Sequence, residues 1–382
     1  MKIAILTLPL HANYGGNLQC YALQNILKAM GHEVTNINIQ VPDEKMPRRE
    51  LKTYWKRIKQ KISGKKDIII FFEKKINNDR HISHQHAIRF INKYISSTPR
   101  FTSEEELAKL PINDFDAFIL GSDQVWRIPY AYPSVETYFF NFLKDSSIKR
   151  IAYGASFGTD EKEFSDKQAK TCGKLLQDFC AISVREDTAI NLIENIYQWK
   201  CPNVVQVLDP TLLLHKEDYL KLISNQGRST HKGSLFYYIL DMTSDKQQFI
   251  NQVATYKNLL PFTVYPKSVR FEDKAKDKIF PPTEEWIQAF DNAEYVITDS
   301  FHGCVFSIIF NKPFIAYGNE ERGMARFTSL LKLFNLENRL IISSSTFPQD
   351  ILEIPINWKE ITAKLKELQN TSISFLQDAL KM

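Results

Sequence analysis

The sequence predicts an α/β protein with two domains, each built on a mostly parallel sheet, that face each other across a cleft. Short apolar runs alternate with helical stretches along the chain, which is typical of parallel sheets with helices between their strands. The 382 residues exceed the size at which one hydrophobic core usually stops growing, so two domains are expected. Six predicted strands end in Gly, Asp, Arg or His, and ligands of such sheets bind beyond the carboxyl ends of the strands.

The first predicted domain covers residues 1–223. An apolar strand, "KIAILTL", leads into the loop "HANYGGN", a helix that stops at Gly31, and a second strand, "EVTNINI", which together predict a βαβ unit. Further strands are predicted in "DAFILGSDQVW", "RIAYGASFG", "CAISVREDTAI" and "VVQVLDPTLLL", the last of which ends at Asp209. A basic helical insertion is expected over about residues 45–110.

The second predicted domain covers residues 234–357. It follows the polar stretch "SNQGRSTHKGS", which is the best linker candidate in the chain. Its strands are predicted in "HKGSLFYYILDM", "PFTVYP", "AEYVITDSFHG" and "KPFIAYG". A helix over residues 358–382 is expected to pack back onto one of the two domains.

Composition and charge argue against several classes of protein. Neither a secretory signal nor an apolar run of membrane-spanning length occurs in the sequence, so we expect a cytoplasmic protein. The five cysteines form no C-x-x-C pair and lie in apolar surroundings, which favours reduced thiols over disulfides or zinc. No metal-ligand spacing and no G-x-S-x-G motif occur, so neither a metal site nor a serine hydrolase is predicted.

The net charge of +5 comes from one segment. Residues 45–66 carry +9 and the rest of the chain carries −4, which argues against nucleic-acid binding and for a local patch. Within that segment Leu51, Trp55, Ile58 and Ile62 recur at helical spacing among lysines and arginines. This pattern is typical of a helix that lies on an anionic membrane surface, which would place the protein on the inner face of the membrane. The alternative is a solvated charged loop.

Two loops after predicted strands carry candidate binding residues. In "NYGGN", the small residues could let backbone N–H groups approach an anion at a helix N-terminus, or could only form a tight turn. In "GSDQVWR", Asp123 could position a sugar hydroxyl and Trp126 could offer a flat face to a sugar ring. The alternative for the second loop is that its polar residues cap a helix and Trp126 lies in the core.

Arg185 and His302 are the strongest candidates for charge-based chemistry. Arg185 follows an apolar strand, and arginine binds phosphate or carboxylate with two parallel hydrogen bonds. Its alternative role is an ion pair with Glu186 or Asp187. His302 follows Asp299 at a strand-to-helix junction. The start of a helix lowers the tendency of an imidazole to take up a proton, whereas a nearby carboxylate raises it. This balance suits a general acid/base. The alternative is a structural histidine.

In chain order, "NYGGNLQCYALQ", "DAFILGSDQVW", "YGASFG", "SVRED", "LDPTLLL" and "TDSFHGCVFSIIFNKPF" resemble the polysaccharide pyruvyl transferase family. The resemblance implies a fold like the GT-B glycosyltransferases, with two Rossmann-like domains across a cleft. It implies transfer of a pyruvyl group from phosphoenolpyruvate to a pair of sugar hydroxyls, with ketal formation and phosphate release, in cell-surface polysaccharide biosynthesis. It further implies no cofactor, phosphoenolpyruvate as co-substrate, and a lipid-linked or nucleotide-linked sugar as acceptor.

By the same resemblance, His302 would be the acid/base and Arg185 would bind the donor's anionic groups. We further expect Asp299 to orient His302. The family pattern has Arg-x-His where this chain has Ser300, Phe301 and His302, so one donor-binding arginine is replaced by serine. The other donor-binding candidates are Ser300, Lys312, Arg322 and Arg326. The candidates for the acceptor cleft are Tyr14, Gly15, Gly16, Asn17, Asp123, Gln124, Trp126 and Ser156.

Two alternatives to pyruvyl transfer stay open at this point. A GT-B glycosyltransferase with a nucleotide-sugar donor would use the same cleft, and the replaced arginine favours it. A binding protein without chemistry, such as a scaffold at the membrane, would use the basic segment but form no product.

Overall fold

The computed structural model of the protein describes residues 1–45, 50–65, 68–143, 146–224, 233–319, 323–345, 347 and 349–382. It contains two parallel sheets, which confirms the predicted α/β class. The strands are β1 (Lys2–Leu6), β2 (Glu33–Asn36), β3 (Ala117–Leu120), β4 (Lys149–Ala155), β5 (Ala181–Val184), β6 (Val204–Gln206), β7 (Leu235–Tyr238), β8 (Pro261–Phe262), β9 (Tyr295–Thr298), β10 (Phe314–Tyr317) and β11 (Leu340–Ile341).

Helices follow most of the strands. They are α1 (Tyr14–Ala29), α2 (Glu50–Ile62), α3 (Phe72–Ser83), α4 (Gln85–Tyr94), α5 (Glu104–Leu107), α6 (Asp166–Leu176), α7 (Asp187–Asn191), α8 (Lys216–Ile223), α9 (Ser244–Lys257), α10 (Thr283–Asn292), α11 (Phe301–Ile309), α12 (Ala325–Leu333), α13 (Gln349–Glu353) and α14 (Trp358–Lys381). Among the described residues, none of these helices has both the length and the apolar character that crossing a bilayer requires.

The N-terminal sheet has the strand order β2-β1-β3-β4-β5-β6, and every neighbouring pair is parallel. Both faces of this sheet are covered. Ile3 and Ile5 of β1 pack into one buried cluster, while Ala4 and Leu6, which point the other way, pack into a second. Because side chains alternate across a strand, this explains why the strand sequence is apolar throughout rather than alternating.

The second sheet has the order β11-β10-β9-β7-β8, again with parallel pairs. The chain between β2 and β3 holds α2 to α5, where the sequence predicts the helical insertion. The predicted linker lies mostly outside the described residues. The domain boundaries drawn from the sequence therefore stay predictions.

The last helix, α14, packs back onto the N-terminal sheet. The Gln369 side chain donates to the Leu212 carbonyl over 2.7 Å, and the Ser372 hydroxyl accepts from the Leu208 backbone N–H over 3.0 Å. The Lys149 ammonium at the start of β4 donates to the Leu380 carbonyl over 2.8 Å. The sequence predicts that this helix packs back onto one of the two domains, and these contacts are with the N-terminal one.

The carboxyl ends of the two sheets face each other. Tyr14, at the start of α1, donates its hydroxyl to the Pro281 carbonyl over 2.8 Å and stacks on Trp286 with ring centroids 5.4 Å apart. The Ser329 hydroxyl of α12 accepts from the Asp187 backbone N–H over 3.1 Å. These contacts, together with the packing of the His302 ring on α1 at Gly15, bring the loops after β1, β5 and β9 together. Gly15, Arg185 and His302 lie there, while several other predicted site residues come from neighbouring loops.

Candidate active site

His302 lies in the first turn of α11, directly after β9. Ser300 caps this helix, because its hydroxyl accepts from the Gly303 backbone N–H over 3.4 Å. Gly303 allows the helix to start close to the strand, since a Cβ on it would lie 2.0 Å from the Thr298 hydroxyl oxygen. The sequence "TDSFHG" therefore fixes the position of the imidazole through one cap and one close approach.

The His302 ring is wedged between the two halves of the molecule. Its side chain is 8% exposed, and its Nε2 lies 3.7 Å from Oδ2 of Asp209, which is longer than a hydrogen bond. On its other side the ring packs on α1, where a Cβ built on Gly15 would lie 2.0 Å from Nδ1. Within the described part of the chain, the buried Nε2 has no hydrogen-bond partner. Such an atom is suited to bind a ligand or water.

Asp209 is the carboxylate around which the site is organised. It accepts from Arg185 Nη1 over 2.8 Å, from the Ser122 hydroxyl over 2.9 Å and from the Thr211 hydroxyl over 2.6 Å. Burial acts to raise the pKa of Asp209, but the neighbouring His302 ring, the Arg185 guanidinium and the Thr211 hydroxyl together hold it below its ordinary value. Asp209 is therefore a carboxylate at neutral pH and can stabilise a protonated His302.

Arg185, at the end of β5, is surrounded by acids. Its side chain is 2% exposed, with Nη2 3.7 Å from Asp123 and Nε 4.0 Å from Glu186, in addition to the close pair with Asp209. Burial acts to lower its pKa, but these three carboxylates raise it above the ordinary value, so the guanidinium stays charged. Nε and Nη2 have no hydrogen-bond partner among the described residues. Its close ion pair is with Asp209 rather than with the predicted Glu186 or Asp187, of which Glu186 lies at 4.0 Å, and Arg185 keeps donors for a ligand.

A second buried guanidinium, that of Arg326, reaches the same place from α12. Its centre lies 5.9 Å from the ring centroid of Phe301, and the Arg185 guanidinium lies 4.3 Å from the same centroid. Burial, and then the positive charge of Arg185, lower the pKa of Arg326 to about 10. Asp123 and Glu186 act in the opposite direction on Arg326, so the two guanidinium groups share this buried place with carboxylates.

Contrary to the prediction, the Asp299 carboxylate binds other groups than His302. Its carboxylate accepts from the Leu240 and Asp241 backbone N–H groups over 2.6 and 3.2 Å, and from the Lys246 ammonium over 2.7 Å. It therefore anchors the loop after β7. The prediction that Asp299 orients the imidazole is corrected: the carboxylate beside His302 is Asp209, which sits on the opposite half of the cleft.

Three predicted cleft residues are core residues. Trp126 is fully buried, donates its indole N–H to the Tyr138 carbonyl over 3.2 Å and stacks on Phe139, so it offers no face to a sugar. The Ser156 hydroxyl is buried and donates to Glu186 over 2.9 Å. Tyr14 is 1% exposed and joins the two halves through the contacts described above.

Of the predicted donor residues, Lys312 does not lie at the site. Lys312 precedes β10, at the amino end of the second sheet, and donates to the Asp291 carbonyl over 2.7 Å. The prediction for Lys312 is wrong because α11 runs between it and His302, from one end of the sheet to the other. Arg322 lies outside the described residues.

The remaining predicted cleft residues line or support the loops at the site. The Asn17 side chain donates to the His11 carbonyl over 2.7 Å, and the Gly16 N–H donates to the Asn13 side chain over 3.2 Å. Asp123 has a φ of 82°, and its Oδ1 accepts from the Gln124 backbone N–H over 2.9 Å. A non-glycine residue at positive φ is uncommon, and such strain concentrates at functional sites.

A cavity of about 480 Å³ opens beside these loops and takes its walls from both halves. Its lining includes His11, Asn13, Arg80, His84, Tyr238, Leu240, Tyr265 and Phe280. The His11 and His84 rings stack with centroids 6.1 Å apart. Burial, followed by the charges of His11 and Arg80, lowers the pKa of His84 to about 4, so this wall of the cavity is uncharged at neutral pH except for Arg80.

Sequence reasoning did not assign these cavity residues to the site. His11 comes directly before "ANYGG", so its place after β1 is a signal that could have identified it. His84, Tyr265 and Phe280 come from three separate parts of the chain and meet only through the packing of the two halves. No local pattern marks them.

Comparison with known proteins identifies the family. A family model described as "Polysaccharide pyruvyl transferase" matches residues 13–321. The chain belongs to the polysaccharide pyruvyl transferase family. It is accordingly a transferase, as the resemblance implied. No curated protein matches the chain.

Solved structures support the fold of this family member. It is similar to UDP-N-acetylglucosamine 2-epimerase from Rickettsia bellii, with a TM-score of 0.53 and 10% identity over 100% of this chain and 97% of that one. UDP-GlcNAc 2-epimerase from Neisseria meningitidis has a TM-score of 0.48 and 11% identity, over 100% of this chain and 99% of that one. A glycosyltransferase from Rickettsia africae has a TM-score of 0.46 and 12% identity, over 98% of each chain. At these identities the similarity to the first structure shows the fold alone, which is GT-B-like with two Rossmann-like domains.

Proposed function

We propose that this pyruvyl transferase family member moves the pyruvyl group of phosphoenolpyruvate onto a pair of hydroxyls of a sugar, during cell-surface polysaccharide biosynthesis. Family membership supports the reaction class. The observation that carries the donor assignment is the meeting of Arg185 and Arg326 against Phe301, one residue from His302. Phosphoenolpyruvate carries a carboxylate and a phosphate, and each of these is a bidentate partner for a guanidinium.

The reaction needs one residue that handles a proton. In the first step a sugar hydroxyl bonds to C2 of phosphoenolpyruvate and the methylene carbon C3 gains a proton. In the second step the other hydroxyl bonds to C2, the C2–O bond to phosphate breaks, and the phosphate leaves with that hydroxyl's proton. His302 gives the proton to C3 and takes one from the attacking hydroxyl, so it is regenerated. Asp209, 3.7 Å away, stabilises the imidazolium form.

The two arginines act mainly on the departing phosphate. Negative charge grows on its bridging oxygen as the C2–O bond breaks, and fixed donors in a water-poor site lower that barrier. Nη2 and Nε of Arg185 are available for this role because only Nη1 is bound to Asp209. The close pair with Asp209 holds the Arg185 guanidinium in place while the donor binds and leaves.

The acceptor would occupy the cavity of about 480 Å³, which has the size of a small-molecule site. Tyr265 and Phe280 offer apolar ring surface, while Arg80 and the neutral imidazoles of His11 and His84 offer hydrogen bonds to hydroxyls. The cavity is next to His302. Asn13 lies two residues before Gly15, on which the imidazole packs, and the Leu240 backbone N–H binds Asp299, three residues before His302. A lipid-linked or nucleotide-linked sugar could enter from its open side.

Phosphate release from phosphoenolpyruvate, measured with and without lipid-linked sugars, tests this proposal. We expect release that depends on acceptor, and loss of it in His302→Gln. Arg326→Lys keeps the charge but loses the planar fork, so it should raise the KM for phosphoenolpyruvate at least about tenfold. Lys312→Ala is the matched control and should keep the KM of the native chain. An unchanged KM in Arg326→Lys would refute the donor site.

A nucleotide-sugar glycosyltransferase is the second candidate, and the serine at position 300 is the observation that favours it. Thermal melting separates the two candidates, because a ligand that binds only the folded protein raises Tm. We expect phosphoenolpyruvate to raise Tm, whether or not a nucleotide sugar also raises it by binding as acceptor. A rise with nucleotide sugars but none with phosphoenolpyruvate would replace pyruvyl transfer by glycosyl transfer.

A further inference from the structure

Helix α2 carries an apolar stripe that is open to solvent. Leu51, Trp55 and Ile62 have exposed fractions of 76%, 62% and 80%, and Ile58 between them is partly exposed. Their spacing of three or four residues places them on one face of the helix. At the start of α3, Phe71 and Phe72 extend the apolar surface with exposures of 53% and 39%. Contiguous exposed apolar side chains of this kind mark an interaction site rather than ordinary surface.

The stripe is bordered by positive charge. The exposed lysines of this segment are Lys52, Lys56, Lys59, Lys61 and Lys65. Arg57 is different, because it forms a bidentate pair with Glu73 of α3 at 2.7 and 2.8 Å and lowers the pKa of Glu73 to about 2. Arg57 therefore fastens α2 to α3, and the lysines remain on the surface with the apolar stripe.

Helix α3 connects this surface to the candidate active site. Its first residues pack against α2, with the Phe71 ring 4.9 Å from that of Tyr54. Its last residues lead to the cavity, which Arg80 and His84 line. The 12 residues of α3 span about 18 Å. Asp79 is bound to Lys278 of the second half over 2.6 Å, so the distance from the stripe to the cavity is fixed.

We propose that the α2 surface, defined as Leu51, Trp55, Ile62, Phe71, Phe72 and the lysines of α2, docks on an anionic lipid bilayer. The apolar side chains enter the boundary between headgroups and acyl chains, and the lysines pair with anionic headgroups. Charge and apolarity on one helix face fit this occupant, since an anionic protein would match the lysines but not an apolar stripe. Docking holds the cavity about 18 Å along α3 from the lipid, within reach of a lipid-linked sugar.

Vesicle binding tests the docking without reference to catalysis. The protein is sedimented with phosphatidylcholine vesicles that contain or lack phosphatidylglycerol. Four α2 lysines (Lys52, Lys56, Lys59, Lys61) are changed to Gln, and four α14 lysines (Lys359, Lys364, Lys366, Lys381) are changed to Gln as a matched loss of charge. We expect binding only to the anionic vesicles, about a thousandfold weaker in the α2 variant and unchanged in the α14 variant. Equal binding by both variants, or no binding by the native chain, would overturn the proposal.

Fluorescence tests the apolar contact separately. Of the five tryptophans, Trp126 and Trp286 are fully buried and Trp199 and Trp358 are partly buried, whereas Trp55 is 62% exposed, so a blue shift on adding vesicles would come mainly from Trp55. We expect the shift in the native chain and its loss in Trp55→Phe, which keeps an apolar ring and so keeps binding. A shift that persists in Trp55→Phe, or none in the native chain, would exclude insertion of this face.

The acceptor part of the inference rests on the proposed function. With a lipid-linked sugar in the vesicles, the α2 variant should release phosphate at least about tenfold more slowly at low salt, and the loss should shrink from about 0.1 M to about 0.5 M salt. With a water-soluble acceptor, the rate should be unchanged. Vesicle binding without any phosphate release would refute the proposed function and leave docking intact. Equal rates of phosphate release by the native chain and the α2 variant on the lipid-linked acceptor would refute the role of docking.

Discussion

Gly15 allows the His302 imidazole to lie directly on helix α1. A Cβ at this position would be 2.0 Å from Nδ1, 2.2 Å from Cγ and 2.7 Å from Cε1 of the ring. Ordinary contacts between such atoms are about 3.5–4.0 Å, so in Gly15→Ala the ring must move by roughly 1.5 Å or the helix must shift. Either movement takes Nε2 away from its place beside Asp209.

The expected effect is large on activity and small on stability. A misplacement of about 1 Å in a catalytic group costs about a hundredfold in rate, so kcat/KM for phosphate release should fall by about that factor or more. Overpacking costs about 1–3 kcal/mol, and the better helix propensity of alanine returns up to about 1 kcal/mol of it. Because folded domains are stable by about 5–15 kcal/mol, the variant should remain folded at 25 °C.

The control is Gly31→Ala, at the other end of the same helix. A Cβ on Gly31 meets nothing within 4 Å, but its φ of 88° strains an alanine by about 1 kcal/mol. This variant should therefore lose a similar amount of stability and keep its kcat/KM. Thermal melting and acceptor-dependent phosphate release are measured on both. If Gly15→Ala kept kcat/KM within about threefold of the native value, the imidazole would not be the acid/base group.

Four further outcomes follow from the contacts at the site. Asp209→Asn removes the close partner of buried Arg185, so it should lower the free energy of unfolding, measured in urea, by about 3–5 kcal/mol and also lower the activity. A loss of activity with unchanged stability would contradict a stabilising ion pair between the two residues. Because the folded-state pKa of His84 is lowered to about 4, the unfolded chain binds more protons below about pH 6.5, so stability should fall as pH falls from about 6.5 to about 4. His84→Gln should flatten that slope, with exposed His81→Gln as control; an equal slope in all three proteins would exclude His84 as its source. Trp126→Phe should lower Tm by about 2–6 °C and leave the acceptor KM within about twofold, whereas a raised KM at constant Tm would restore its role as a sugar platform. Lys312→Ala should keep the kcat of the native chain, and a tenfold loss would contradict its position at the far end of the sheet.

The elements were predictable where a local pattern specifies them. The apolar runs within β1, β3, β4 and β9 are buried on both faces, which is why apolar residues follow one another there instead of alternating with polar ones. The place of His302 was also predictable, since a strand followed by a serine cap and a glycine puts the second helical residue at the sheet edge. The arrangement of the two sheets as a GT-B-like fold was predicted from the family resemblance and not from a local sequence pattern.

Contacts between the halves were not predictable in the same way. Asp299 is three residues from His302 in sequence, so it was the natural candidate for a partner, yet backbone N–H groups of the β7 loop and Lys246 occupy it. Asp209 lies far away in the chain and meets the imidazole only because the two sheets face each other. Trp126 shows the reverse case. A polar neighbourhood in sequence suggested a surface position, but the side chain points into the cluster that contains Phe139 and Phe157.

The serine at position 300 is explained by the way α11 begins. A serine at an N-cap accepts a hydrogen bond from the backbone, here from Gly303, and such caps contribute about 1 kcal/mol that an arginine would not supply. Arg326 approaches the neighbouring Phe301 ring from α12, and we expect it to supply the positive charge that the family pattern places at position 300. In the double variant Ser300→Arg/Arg326→Ala, the guanidinium would return to its position in the family pattern. We expect phosphoenolpyruvate binding, measured by the rise in Tm, to be lost in Arg326→Ala and largely recovered in the double variant. If Arg326→Ala kept the full rise in Tm, the two positions would not be equivalent, and the serine would again favour a different donor.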